Sequence, residues 1–229
     1  QAEDRSAIAS AVSKEVNNFV IAPLQGLITS VYSLPVKLLV KNSTATISIG
    51  DNAVISGQDT VGIYATAGAD ASGVANGSMF SIGYNRAVAT ASVDIMAGAS
   101  ISSANAAVVI TSGAAATAKI NAKTSREADS AKNPGKQQIA IALAVSDANA
   151  VSTVTLAEGA SVSAGKTANL KASGGVESEA AADAGIFSDG SAGLAFGLEF
   201  SNADVHTTVN GSITAKMLPG STVKIEIDP

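Results

Sequence analysis

A twelve-residue unit that recurs along the chain constrains the fold more than any other feature of this sequence. Residues 45–56 (ATISIGDNAVIS) align without a gap with residues 91–102 (ASVDIMAGASIS), and residues 152–163 (STVTLAEGASVS) form a third copy. The first and second copies start 46 residues apart, and the second and third start 61 residues apart. Residues 210–215 (NGSITA) form a shortened fourth copy. Because tandem units bury their apolar faces by stacking on one another, the repetition predicts a solenoid.

Each unit alternates apolar and small polar residues with the period of a β-strand. In the first unit, a strand ending at Ile49 leads through a turn at Asn52 to a short strand around Ile55. A third strand is expected at Ile63. The corresponding positions of the next two units are Ile95, Gly98, Ile101 and Val109, then Leu156, Gly159, Val162 and Leu170. We expect Ile95 to stack with Leu156, and Ile101 with Val162, as buried equivalents.

The last strand of each unit carries the most regular alternation in the chain. Its large apolar residues occur at every second position, and we expect that face of the strand to be buried. These residues are Phe80, Ile82 and Tyr84 in the first unit, Ile139, Ile141, Leu143 and Val145 in the second, and Leu194, Phe196, Leu198 and Phe200 in the third.

The fold class predicted from these units is mainly β, a parallel β-helix. A 46-residue unit has room for two coils of about 23 residues, which gives about six to eight coils in all. The alternative is a stack of antiparallel hairpins or a sandwich, since residues 117–124 and 139–147 flank an insertion like the arms of a hairpin. That insertion, residues 124–138, concentrates charge and turn residues and is expected to be an excursion from the coils.

The spacing of apolar residues changes along the chain from that of a helix to that of a β-strand. This change divides the chain into two regions. Residues 1–37 are predicted to be a helical capping segment that packs against the first repeats, with a break at Pro23 and an end at Pro35. Its apolar stripe comprises Ile8, Val12, Val16, Phe19, Leu27 and Val31. Residues 38–229 are predicted to be tandem β repeats, with units near 45–90, 91–151, 152–204 and 205–229, the last one partial.

Composition excludes several partners. The net charge is −5 without a basic cluster, which argues against nucleic acid. No run of 18 apolar residues occurs, so no membrane-spanning helix is expected. Cysteine is absent. We expect the chain to be a piece of a longer protein, with the neighbouring repeats of that parent chain as its partners.

The candidates for catalysis are few. Glu177, Glu179 and Asp183 lie on one face of a predicted strand, where β-helix enzymes that act on carbohydrates could carry their carboxylates. The matching positions in other units are mostly Ala, Ser or Asn, so a solvated strand face is favoured. His206, two residues after Asp204, could form an acid–base pair, but an exposed histidine is favoured. We therefore expect no enzyme activity.

Metal ligands are equally sparse. Asp51, Asp147 and Asp204 are the weak alternative for calcium, because turn carboxylates supply the oxygen ligands that this ion accepts. The spacing of an EF-hand is missing, and a single histidine without cysteine cannot form a zinc site. We predict no metal site and no cofactor.

The segment Glu158–Gly165 (EGASVSAG) and the Ala/Ser/Thr/Gly/Val-rich, cysteine-free composition around it resemble the stalks of giant bacterial surface adhesins. These are the filamentous-haemagglutinin-like and type I-secreted biofilm proteins, and the resemblance covers roughly residues 38–227. It implies export to the bacterial cell surface, an extended β-solenoid and a role in adhesion or spacing. The chain differs by lacking the calcium-binding nonapeptide of RTX repeats, so the resemblance does not imply bound calcium.

The function expected from the sequence is a non-enzymatic structural or adhesive segment of a large exported bacterial surface protein. It would act outside the cell as part of a stalk or as an adhesion module. The alternatives are a carbohydrate-acting β-helix enzyme and a module that binds surface glycans or proteins of a host or another cell.

Overall fold

A computed structural model of the chain describes residues 35–77, 80–124, 139–185, 192–216 and 219–229. The described residues form twelve β-strands and no helix. The strands are β1 (Val36–Ile49), β2 (Val54–Gly57), β3 (Val61–Gly77), β4 (Phe80–Ile95), β5 (Ser100–Ser103), β6 (Val108–Thr124), β7 (Ile139–Leu156), β8 (Ser161–Ala164), β9 (Thr167–Ala184), β10 (Ala192–Val209), β11 (Ser212–Ala215) and β12 (Thr222–Asp228). The helical segment predicted before Pro35 lies outside the described residues.

The strands wind into a parallel β-helix, as the sequence predicts. Sheet A contains β1, β4, β7 and β10, sheet B contains β2, β5, β8 and β11, and sheet C contains β3, β6, β9 and β12. All pairings among the described strands are parallel, so the antiparallel alternative does not apply to them. Each coil therefore consists of a long, a short and a second long strand, although the last strand of the fourth coil, β12, has only 7 residues.

The register confirms the alignment of the repeated units. Ile47 pairs with Val93, and Val93 pairs with Val154, at the separations of 46 and 61 residues read from the sequence. In sheet B, Val162 pairs with both Ile101 and Ile213, so the shortened fourth copy is also in register. One expected position was wrong by a residue, because the partner of Ile63 and Leu170 is Ile110 and not Val109.

The coils are twice as large as predicted. The strand that closes one unit and the strand that opens the next are a single strand, as β4 runs without interruption from Phe80 to Ile95. One unit is thus one coil, and four coils form a stack about 19 Å high at roughly 4.8 Å per coil. Each long strand of about 17 residues spans roughly 55 Å, which makes the coil wide and the stack short.

The core is widest where all three sheets enclose it. Ile95, Leu156, Ile101 and Val162 are buried in equivalent positions there, as predicted. The stack continues with the other large buried side chains Val93, Val108, Ile110, Val154 and Leu170. Large aliphatic residues are needed because three diverging sheets leave more space between them than two facing sheets do.

Further from sheet B, sheets A and C face each other directly, and most of the residues buried between them are small. Ile120 of β6 is an exception, at 2% exposed. Gly83 faces Ile120, and a Cβ atom on Gly83 would lie 2.4 Å from Ile120 Cγ1. The residues that point inward from β4 are Ser81, Gly83, Asn85, Ala87, Ala89 and Ala91. The narrow part of the core is thus lined mainly by glycine, alanine, serine and asparagine.

This narrow core reverses the predicted face of the closing strands. Their large apolar side chains were expected inside, but they lie on the outer side of sheet A. A row of such side chains pointing inward would overpack the space between the two sheets, where Ile120 of sheet C already lies against Gly83. Phe80, Ile82 and Tyr84 are only partly buried, and Leu194, Phe196, Leu198 and Phe200 are exposed.

Polar side chains bridge the narrow core. Asn85 Nδ2 donates to the backbone carbonyl of Ala71 at 2.9 Å, and Ser81 Oγ donates to that of Ala75 at 2.7 Å. These hydrogen bonds satisfy the buried Ser81 hydroxyl and the Asn85 amide nitrogen, and they link sheet A to sheet C.

The turns between the first two strands of each coil also stack. Asn52, Gly98 and Gly159 occupy equivalent turn positions, with φ of 58°, 70° and 75°. Glycine and asparagine are the residues that adopt this left-handed conformation most readily, as the sequence pattern indicated.

The predicted insertion begins one residue later than expected. Thr124 is buried and is the last residue of β6, where it pairs with Gly77 and Ala184. Residues 125–138 lie outside the described part of the chain.

Candidate interaction surface

The outer side of sheet A carries an apolar surface that extends across all four coils. The register forms three rows, which are Phe80–Ile141–Leu194, Val36–Ile82–Leu143–Phe196 and Leu38–Tyr84–Val145–Leu198. The next row begins with Val40 in β1 and ends with Phe200 in β10, and its two middle positions are polar. We call these thirteen residues the apolar face. It measures roughly 20 Å along the strands and 15–20 Å across them, or about 300–400 Å².

Exposure on the apolar face is greatest along its two borders. Leu38 in β1 and Phe196 in β10 are 65% and 55% exposed, whereas Val145 between them is 5% exposed. The largest contiguous apolar patch on a typical protein measures about 300–600 Å² and is often functional, so this face is a candidate interaction surface.

An ionic cluster borders the apolar face in the row between Val40 and Phe200. Arg86 Nε lies 3.2 Å from Asp147 Oδ2 across neighbouring strands. Its N–H is not directed at the carboxylate, so the contact is an ion pair without a hydrogen bond from that nitrogen. The Tyr84 side chain lies diagonally beside the Asp147 carboxylate in the register.

Partial burial changes the acidity of this cluster. It raises the pKa of the Asp147 carboxyl, and the charge of Arg86 and the hydrogen bond from Tyr84 oppose part of that rise. Burial, followed by the nearby carboxylate of Asp147, also raises the pKa of the Tyr84 phenol. The cluster places a charged pair at the edge of an otherwise apolar surface.

The carboxylates considered for catalysis lie on a different surface, the outer side of sheet C. Glu177, Glu179 and Asp183 do share one side of β9. Lys119 Nζ makes a close ion pair with Glu177 and lies 3.9 Å from Glu179 Oε2. The hydrogen bond to Glu177 raises the pKa of Lys119. Asp183 lies beside Lys123 in the register. Lys119 therefore offsets part of the negative charge of Glu177 and Glu179.

The three aspartates considered for calcium are not brought together. Asp51 lies in the exposed turn after β1, Asp147 is bound to Arg86, and Asp204 lies on β10 beside Val151. Within the described ranges, no group of three or more His, Cys, Asp or Glu side chains is arranged to hold a metal ion.

His206 forms a close contact with Asp204 on the outer side of β10. The histidine side chain is 63% exposed, and β10 is the outermost strand of sheet A. The pair is thus solvated.

Sequence reasoning missed the apolar face. The alternation of large residues was visible, but it does not reveal which side of a strand is inside. The signal that could have assigned the sides is the unbroken run of small residues at the intervening positions, such as Ser81, Gly83 and Asn85.

Among the residues that the structure describes, no helix is long and apolar enough to span a bilayer. The chain matches no protein-family model, no curated protein and no solved structure.

Proposed function

We propose that this chain is a non-enzymatic structural and adhesive segment of a larger exported bacterial surface protein, in which further repeats stack on its coils. In this role it acts outside the cell, at the bacterial surface, as part of a stalk or as an adhesion module. The resemblance in composition and repeat style to adhesin stalks supports the location and the role.

The observation that carries the proposal is the open side of the last coil. Val223, Ile225 and Ile227 point inward from β12, yet they are 47%, 51% and 54% exposed. Their partners one coil earlier are Ala168, Leu170 and Ala172, all fully buried. A further coil stacked on β12 would bury the exposed half of these side chains in the same way, with a gain of about 1 kcal/mol for each one.

Contacts between coils also support a stacking role. Three described ion pairs each join adjacent coils, namely Arg86–Asp147, Lys119–Glu177 and Lys171–Asp228. Hydroxyl pairs such as Thr46–Ser92 at 3.3 Å and Ser100–Ser161 at 3.2 Å do the same. A coil of this kind contacts only its neighbours, so stability grows as coils are added.

Duplication of one coil tests the structural part of the proposal. A second copy of residues 139–191 inserted after residue 191 should give a folded monomer with proportionally more strand by far-UV circular dichroism. Its free energy of unfolding should be higher than that of the parent. The matched control is an insertion of the same residues in shuffled order, which should unfold or aggregate. If the true duplicate behaves like the shuffled one, the coil is not a stackable unit and the proposal fails.

Attachment assays test the adhesive part. Bacteria that display the chain on an outer-membrane anchor should bind glycan-coated or protein-coated wells more than bacteria that display the anchor alone. Equal attachment on every coating would reduce the role to that of a spacer.

Turnover assays test the competing enzyme hypothesis. The ion pairing of Glu177 and Glu179 with Lys119 favours a solvated strand face over a catalytic one. Incubation with acidic and neutral polysaccharides should release no new reducing ends. Turnover that disappears in Glu177→Ala or Glu179→Ala would contradict the non-enzymatic proposal.

A further inference from the structure

The apolar face of sheet A needs a partner that can cover a small, flat, hydrophobic surface. Its area of about 300–400 Å² is less than half of the roughly 800 Å² that each protein buries in a standard interface. A second copy of the chain that used this face alone would therefore form a weak dimer. A segment tethered to the face needs less area, because its effective concentration is in the millimolar range.

The chain enters the described structure at the border of this face. The backbone N–H of Ile82 donates to the Pro35 carbonyl at 3.2 Å, and Val36 is the next residue of the chain. Both Ile82 and Val36 belong to the apolar face. A segment that precedes Pro35 therefore joins the described structure beside the face.

We propose that residues 4–33 of this chain lie against the apolar face of sheet A. The sequence predicts two amphipathic helices there, separated at Pro23, with an apolar stripe that includes Val12, Val16 and Phe19. These residues lie outside the described part of the structure, and the proposal rests on their sequence and on the point where they join β1. It is independent of the proposed function and refines the earlier capping prediction, since it assigns the outer side of sheet A as the surface that is covered.

The dimensions of the predicted segment match those of the face. At 1.5 Å per residue, residues 4–22 would form a helix about 28 Å long and residues 24–33 one of about 15 Å. Two helices side by side, each about 10 Å wide, would cover the roughly 20 Å of the face. Leu27 and Val31 continue the stripe into the second helix, which leads directly to Pro35.

Photo-crosslinking of the full chain tests this arrangement. Because the protein has no cysteine, Val16→Cys can be labelled selectively with benzophenone maleimide, irradiated and mapped by mass spectrometry. Crosslinks should fall within β1, β4, β7 and β10 of the same molecule, on residues of the apolar face. The matched control is Lys14→Cys, on the opposite side of the predicted helix, which should give at least threefold fewer crosslinks to that face.

Three outcomes would overturn the proposal. Crosslinks to the turns and short strand of residues 50–60 would favour a cap on the first coil, and crosslinks between molecules would favour a second copy. Absence of crosslinks to the described strands would mean that the face is uncovered.

Binding of the dye ANS by full-chain variants gives a second readout. Val12→Ser/Val16→Ser/Phe19→Ser should increase ANS fluorescence severalfold with an unchanged circular dichroism spectrum. Adding Phe196→Ser and Phe200→Ser should reverse most of that increase. No change in ANS fluorescence for the first variant would contradict the proposal.

Discussion

At the scale of single residues, the environment of a side chain is decided by partners that are far away in the sequence. Arg86 and Asp147 are neighbours only because coils two and three pair with an offset of 61 residues. Their ion pair could not be predicted from the sequence, whereas the burial of Ile95 and Leu156 could, because a repeated apolar position already indicates a stacked core. Residues that repeat are thus more predictable than residues that occur once.

The raised pKa of Asp147 leads to a prediction about pH. Because the folded protein holds this proton more tightly than the unfolded chain does, Asp147 contributes stability that is present below its ordinary pKa of 3.8 and is lost as the pH rises through its folded pKa. The free energy of unfolding of the wild type, relative to Asp147→Asn, should therefore fall as the pH increases from about 3.5 to 7. Urea titrations at several pH values measure this difference.

Tyr84→Phe provides the matched test for the same group. The hydrogen bond from the tyrosine lowers the pKa of Asp147, so removing the hydroxyl should raise that pKa further and widen the pH range of the effect. An unchanged or narrower range would show that the Tyr84 hydroxyl does not stabilise the ionised carboxylate of Asp147.

Truncation of a stacked core residue should be costly. Leu156 is fully buried between Ile95 and Val209 in the register, so Leu156→Ala should destabilise the fold by about 2–5 kcal/mol. Val54 is 74% exposed, and Val54→Ala should change stability by less than about 0.5 kcal/mol. Chemical denaturation of both variants measures the contrast, and equal effects would mean that the core is assigned incorrectly.

At the scale of elements, the long strands divide into two parts with different rules. Near sheet B, large aliphatic residues point inward, and the sequence pattern predicts their side correctly. Further away, the strands of sheet A have small residues inside and large ones outside, as with Ser81 and Ile82 in β4, whereas Ile120 of sheet C points inward against Gly83. The usual assumption that the larger residues of an alternating strand are buried fails there, because the space between sheets A and C is too narrow.

A pair of substitutions in β4 tests this reversal. Ser81→Leu should overpack the narrow core, remove the hydrogen bond to Ala75 and destabilise the protein by about 1–3 kcal/mol. Ile82→Ser, on the outer side, should cost less than half as much. Thermal unfolding followed by circular dichroism compares them, and a larger loss for Ile82→Ser would restore the original assignment of the faces.

At the scale of the whole molecule, four wide coils stack in one register, and the repeated unit is a complete coil. The sequence was sufficient to predict the parallel β-helix and the offsets between units. It was not sufficient to predict the size of the coil, because residues 86–92 (RAVATAS), which join the end of one unit to the start of the next, do not distinguish a bend from a continued strand. The open apolar side of the last coil and the apolar face of sheet A also depend on this arrangement.

Disulfide formation between neighbouring coils tests the size of the coil most directly. In the four-coil stack, Thr46 and Ser92 are adjacent on parallel strands, at a spacing that suits a disulfide. Thr46→Cys/Ser92→Cys should therefore oxidise readily within one molecule, whereas Thr46→Cys/Ala69→Cys, separated by about half a unit, should remain reduced. A disulfide in the second pair and none in the first would contradict the account, since two smaller coils would then occupy each unit.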